Sequence, residues 1–155
     1  VQVGDAVGGY QESQFFEPGT DIVVAKTPFG NIGMMVCYDL RFPELALHLR
    51  AQGANILTAP SAFTYTTGQM HWQLLLQARA MDTQCTVLGA AQQGWHGEKR
   101  QTWGHAAATN SRGQLLDMVH AEGAQIITVD FDLTEQAKVR ESMPLMQHHK
   151  LLQFS

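Results

Sequence analysis

Short, wholly apolar runs alternate along this chain with segments whose apolar residues recur three and four positions apart. "IGMMVC" (Ile32 to Cys37) is continuously apolar, the pattern of a strand covered on both faces. "DIVVAK" (Asp21 to Lys26), "NILTAP" (Asn55 to Pro60) and "CTVLGAA" (Cys85 to Ala91) read as further strands, and "TPFGN" (Thr27 to Asn31) as a turn. Phe42, Leu45, Ala46 and Leu49 predict one face of a helix, with Pro43 in its first turn and Gly53 as its stop. Leu74, Leu75, Ala78 and Met81 predict the apolar face of a second helix over 70–84, after a loop carrying Phe63, Thr66 and Thr67. Gln92 to His105 predicts a long polar loop. Short strands are expected over 106–109, 115–119 and 125–129, the first two joined by the turn Asn110-Ser111-Arg112-Gly113. Asp132 and Glu135 form a capping-box-like start for a last helix ending before Pro144. Residues 1–18, punctuated by Gly4, Gly8, Gly9 and Pro18-Gly19, predict a loop. Strand and helix alternate with no linker between them, so the expected class is α/β in one unit.

Composition narrows the partners. The 155 residues are 45% hydrophobic and 15% charged, which fits one globular unit or part of a larger one. The net charge of -4, without a basic block, argues against nucleic acid. No apolar run approaches the roughly 20 residues of a membrane span. Two cysteines make no disulfide scaffold, so a reducing, cytoplasmic compartment is expected. Residue 1 is valine, and the natural start is expected upstream.

Cys37 stands where an apolar strand gives way to a charged, turn-like segment ahead of a helix. A thiolate attacks where a thiol does not, and a strand–turn–helix seam offers a sulfur both solvent and backbone N–H groups. The N–H of Tyr38 would lie within reach of an oxyanion on a carbonyl joined to that sulfur. The competing reading is a small apolar core residue; strand, thiol, turn and helix together favour chemistry without naming a reaction.

The blocks "CYDLRFPEL" (Cys37 to Leu45) and "PSAFTYTTGQMHWQLLLQARAMDTQ" (Pro60 to Gln84) closely resemble the nitrilase superfamily of carbon–nitrogen hydrolases. "GWHGEKRQTWGH" (Gly94 to His105) and "SMPLMQHHK" (Ser142 to Lys150) are most similar to its Nit branch of ω-amidases and deaminated glutathione amidases. The resemblance implies an αββα four-layer sandwich of which residues 1–155 are the C-terminal portion. It also implies a Glu–Lys–Cys triad, an acyl-enzyme on cysteine, release of ammonia or an amine, and no cofactor. Cys37 matches the nucleophile, Tyr38 the residue supplying an oxyanion-hole N–H, and Glu12 a second glutamate close to the triad. Arg41 matches an arginine that contacts a substrate carboxylate, and Phe63 and Thr67 match pocket-lining positions. The general-base glutamate and the lysine are expected upstream of Val1. Lys26 is the only lysine ahead of Cys37 and falls in the wrong place, so the 155 residues alone are expected to be inactive and aggregation-prone.

Several positions keep rival readings. Arg41 would equally brace the turn by pairing with Asp39 or Glu44; Phe63 would equally be core; Glu12 would otherwise be an exposed loop carboxylate. Glu44 reads as a helix cap, His71 and Trp72 as packing, and Cys85 as buried filler. His148 and His149 are adjacent without metal-ligand spacing, so no metal site is predicted. The expected function is an amidase acting on a small-molecule amide, deaminated glutathione or a dicarboxylate ω-amide, in a homo-oligomer. "EKR" (Glu98 to Arg100) favours the first. The alternative is a truncated, non-catalytic half-domain acting only through protein–protein interaction.

Overall fold

A computed structural model of the chain describes residues 2–5, 8–11, 14–121 and 123–150, the first two segments by backbone alone. Six strands form the main sheet in the order β10-β9-β6-β5-β4-β3. They are β3 (Val24–Thr27), β4 (Gly30–Met34), β5 (Ile56–Thr58), β6 (Thr86–Gly89), β9 (Ala107–Thr109) and β10 (Leu115–Met118). The central pairs β4–β5 and β5–β6 are parallel, and the outer ones antiparallel. Parallel neighbours require a crossover. Here the crossovers are α1 (Pro43–Ala51) and α2 (Tyr65–Thr83), so the expected α/β class holds at the centre of the sheet.

Helix α1 starts and stops where its sequence says. Pro43 opens the first turn, and Gly53 lies at φ +95° beyond the end. The Gly53 N–H donates to the Arg50 carbonyl at 3.0 Å and the Ala54 N–H to the Leu49 carbonyl at 3.1 Å, the paired bonds of a Schellman stop. Ala46 and Leu49 are buried, as their spacing predicts, while Phe42 sits outside against the Tyr38 ring.

Helix α2 differs from expectation in both start and face. It begins at Tyr65, so Thr66 and Thr67 occupy its first turn and not a loop. It buries Trp72, Leu76, Ala80 and Thr83, leaving Leu74 and Met81 exposed. Trp72 decides the rotation: its ring lies over Gly89, where a Cβ would come within 2.6 Å of it, and its indole N–H donates to the His105 carbonyl at 2.6 Å. Burying the largest side chain against a matching gap outweighs the stripe of smaller apolar residues.

Other segments depart from their sequence reading. Residues 1–18 are not all loop: β1 (Gln2–Asp5) pairs with β2 (Gly8–Gln11), glycine facing glycine at Gly4 and Gly9. The 92–105 loop is largely a hairpin, β7 (Gln93–His96) with β8 (Arg100–Trp103). In both cases ladder pairing overrides weak strand propensity. Residues 125–129 form no strand; no ladder partner lies beside them among the described residues, and Ile126 is 93% exposed. The run 32–37 is not covered on both faces throughout, since Met34 and Val36 are exposed on either side of buried Met35. The Asn110–Gly113 turn joins β9 to β10, its Asn110 carboxamide oxygen accepting from the N–H groups of Arg112 and Gln114. Asp132 caps α3 (Leu133–Ser142) by accepting from the Thr134 N–H at 2.7 Å, which holds its carboxyl below the usual range. A last turn, α4 (Leu145–His148), follows.

Candidate active site

The chain leaves β4 at Met34 and turns sharply three residues later. Val36 is extended at φ -131°, Cys37 adopts φ +48°, and residues Cys37–Arg41 then close a 3₁₀ turn leading into α1. A left-handed backbone at a residue with a Cβ costs on the order of 1–2 kcal/mol. The surroundings hold it in place. The Val36 N–H donates to the Asp39 carboxylate at 2.9 Å, the Asp39 N–H returns to the Val36 carbonyl at 3.0 Å, and the Cys37 N–H donates to the Pro60 carbonyl at 2.9 Å. Leu40, fully buried, anchors the underside.

The first N–H groups of such a turn have no partner within it. Here Asp39 takes that of Val36 and Pro60 that of Cys37, and no acceptor among the described residues takes that of Tyr38. A half-buried thiol and an unengaged donor therefore occupy consecutive residues of one rigid bend.

Arg41 closes the same turn. Its guanidinium carbon lies 5.5 Å from the ring centres of both Tyr38 and Phe63, and both terminal nitrogens lie 3.4 Å from His71 Nδ1. No carboxylate pairs with it among the described residues, so the bracing read for Asp39 or Glu44 is not what the structure contains. Asp39 instead serves the backbone of Val36. Phe63 is buried against Trp72 with ring centres 5.3 Å apart, and joins the core to the Arg41 face. The Thr67 hydroxyl lies 3.0 Å from that of Thr64 at the start of α2. Cys37, Tyr38, Arg41 and Phe63 are thus brought together. Glu12 lies outside the described residues.

Sequence reasoning missed His71 as the neighbour of Arg41. The signal available was its place one residue before the Trp72 anchor, which fixes the side of α2 it occupies.

Cys85 has the opposite character. It is fully buried, its sulfur 3.3 Å from the Ala54 carbonyl and 3.4 Å from Arg140 Nη2. Burial pushes its thiol up, only partly opposed by the Arg140 charge and the Thr83 hydrogen bond. A thiol reagent at neutral pH is therefore expected to modify Cys37 in the folded protein and Cys85 only after denaturation, read by mass spectrometry of the two cysteine peptides. The folded state holds the Cys85 proton more tightly, so this contribution to stability is complete below the ordinary thiol range and is lost as pH rises through the raised value.

Residues 5–141 match the sequence model of the family described as Carbon-nitrogen hydrolase. This chain belongs to that family. Carbon–nitrogen hydrolases close to it include the deaminated glutathione amidase of Yersinia enterocolitica, 44% identical over 98% of this chain and 53% of the relative. In structure it is similar to the nitrilase and fragile histidine triad fusion protein NitFhit of Caenorhabditis elegans. That match has a TM-score of 0.87 at 35% identity, over 99% of this chain and 38% of the other. A mutant amidase from Nesterenkonia sp. AN1, described with the acetamide moiety of fluoroacetamide covalently added at its active-site cysteine, aligns with a TM-score of 0.64. Its identity is 28%, over 73% of this chain and 43% of the other. The α/β fold is therefore that of the nitrilase-like hydrolases. The chain spans about half the length of the curated relatives it matches.

Proposed function

We propose that this chain is the nucleophile-bearing part of an amidase that cleaves a linear amide bearing a carboxylate, deaminated glutathione or a related ω-amide of a dicarboxylic acid. The Cys37 thiolate attacks the amide carbonyl, and the oxyanion formed accepts from the Tyr38 N–H. The C–N bond then breaks with a proton delivered to the leaving nitrogen, and water cleaves the thioester to the acid and regenerates the thiol. Glu12 enters as an aid to proton transfer through its motif match alone. The general base and the lysine are proposed to come from outside residues 1–155, so these residues alone are expected to be inert. No helix among the described residues is long and apolar enough to cross a membrane. The reading also proposes a cytoplasmic homo-oligomer and a reaction without cofactor.

One observation supports the substrate class above the others. Arg41 shares the bend with Cys37, has no carboxylate partner among the described residues, and is flanked by two aromatic rings that leave its fork facing His71. Guanidinium binds carboxylate through paired hydrogen bonds. In the full-length polypeptide, Arg41→Ala is expected to lower kcat/KM on a carboxylate-bearing amide by about 10- to 150-fold, the worth of a charged hydrogen bond at about 1.5–3 kcal/mol. On a neutral amide of the same chain length the loss should stay within about 3-fold. Equal losses on both substrates would remove the carboxylate from the proposal.

Exposed Met34, Val36 and Ile126 favour a second reading, a half-domain that binds a partner without turnover. The two part in mass spectrometry of the full-length polypeptide mixed with candidate amides. An acyl adduct on Cys37, absent from Cys37→Ala, supports the enzyme; no adduct with any amide supports the binding module.

A further inference from the structure

Arg79 is a cation where an apolar residue would be expected. It lies on the buried face of α2 between Leu76 and Ala80, is 6% exposed, and stands about one turn before the helix ends at Thr83. Burying a guanidinium costs several kcal/mol unless its donors are engaged. Two engagements are visible. Its Nε donates to the Leu40 carbonyl at 2.9 Å, and its Nη1 donates to the Asp82 carboxylate at 2.6 Å, one turn along the same helix. The first is the informative one, because Leu40 belongs to the 3₁₀ turn that carries Cys37.

That turn has two ends. Its N–H end carries Cys37 and Tyr38 and is held by Asp39 on the Val36 N–H. Its carbonyl end offers the Leu40 oxygen, fully buried and taken by Arg79. The Asp82 carboxylate fixes the plane of the guanidinium, and the guanidinium fixes the carbonyl. Helix α2 thus holds, through the Leu40 carbonyl, the turn that begins at Cys37 with φ +48°.

We propose that Arg79 is a positioning residue for Cys37, holding the turn by its Leu40 carbonyl so that the thiol and the Tyr38 N–H keep one fixed relation to a bound carbonyl group. This rests on the reading of Cys37 as nucleophile. A positioning role acts on the transition state and leaves substrate affinity nearly alone.

The test uses the full-length polypeptide with Arg79→Met, Arg79→Lys and Asp82→Asn, each characterised by circular dichroism and urea unfolding. Arg79→Met is expected to lower kcat by about 100-fold with KM within about 3-fold, the loss expected from a displacement of about 1 Å. Arg79→Lys, which keeps the charge and one donor, should recover about 10-fold of that loss. Should Arg79→Met fail to fold, Asp82→Asn carries the test, since that carboxylate is half exposed; kcat is expected to fall about 5-fold at an unchanged unfolding midpoint. A folded Arg79→Met, or in its absence a folded Asp82→Asn, with kcat within about 2-fold of the parent overturns the proposal. So does a loss of kcat matched only by a loss of folded protein. A parent that forms no adduct overturns the nucleophile reading and this inference with it, whereas an active parent with a silent Arg79→Met overturns this inference alone.

Discussion

Cys37→Ala in the full-length polypeptide is expected to remove amide turnover by roughly five to six orders of magnitude, as loss of a nucleophile from a cooperating set does. The single-turnover adduct should vanish with it. The same position also predicts a gain. Cys37 holds φ +48°, a conformation glycine adopts without penalty. Cys37→Gly is therefore expected to be more stable than the parent by about 1 kcal/mol while equally inactive. Urea unfolding of the two variants beside the parent reads this directly. Stability rising as activity disappears would mark strain retained for chemistry. If Cys37→Gly is destabilised by more than about 1 kcal/mol, the sulfur is a packing element and the bend is not strained for its sake.

Trp72→Ala is expected to cost about 3–5 kcal/mol, the range for removing a large buried aromatic. The ring is 1% exposed, lies over Gly89 and packs on Phe63, and its N–H is bonded to the His105 carbonyl. Deletion leaves a cavity between α2 and β6 and a carbonyl without its donor. Against total stabilities of about 5–15 kcal/mol, that is enough to unfold much of the population. Trp72→Phe, which keeps most of the volume but abandons the His105 carbonyl, should cost about 1–3 kcal/mol. The difference in urea midpoints between the two separates filling from hydrogen bonding. A cost below about 1.5 kcal/mol for Trp72→Ala would mean that α2 is not registered by this ring.

The ring also links fold and site. Phe63 touches Trp72 on one side and the Arg41 guanidinium on the other. Loosening Trp72 would therefore reach the cation proposed to bind substrate.

Much of this was legible from short-range chemistry. The bend at Cys37 was readable because an apolar run, a proline and a helical spacing meet within seven residues. The stop at Gly53, the Asn110–Gly113 turn and the Asp132 cap were readable because each bonds to its own near neighbours. The rotation of α2 was not, since Leu74 and Met81 are as apolar as Leu76 and Ala80, and only Gly89 of another strand distinguishes the two faces. Nor was the β7–β8 hairpin, whose residues have little strand preference until they pair. The strand expected over 125–129 fails for the converse reason, a suitable sequence with no ladder beside it.

The order of residues alone thus settled the α/β class, the place of the thiol and the turn that presents it, because these depend on contacts a few residues apart. Long-range packing settled which face of α2 is buried, that Arg41 meets His71 and Phe63 and no carboxylate among the described residues, and that Arg79 reaches the Leu40 carbonyl. Those contacts join residues 22 to 39 positions apart, and no local propensity encodes a partner at that distance.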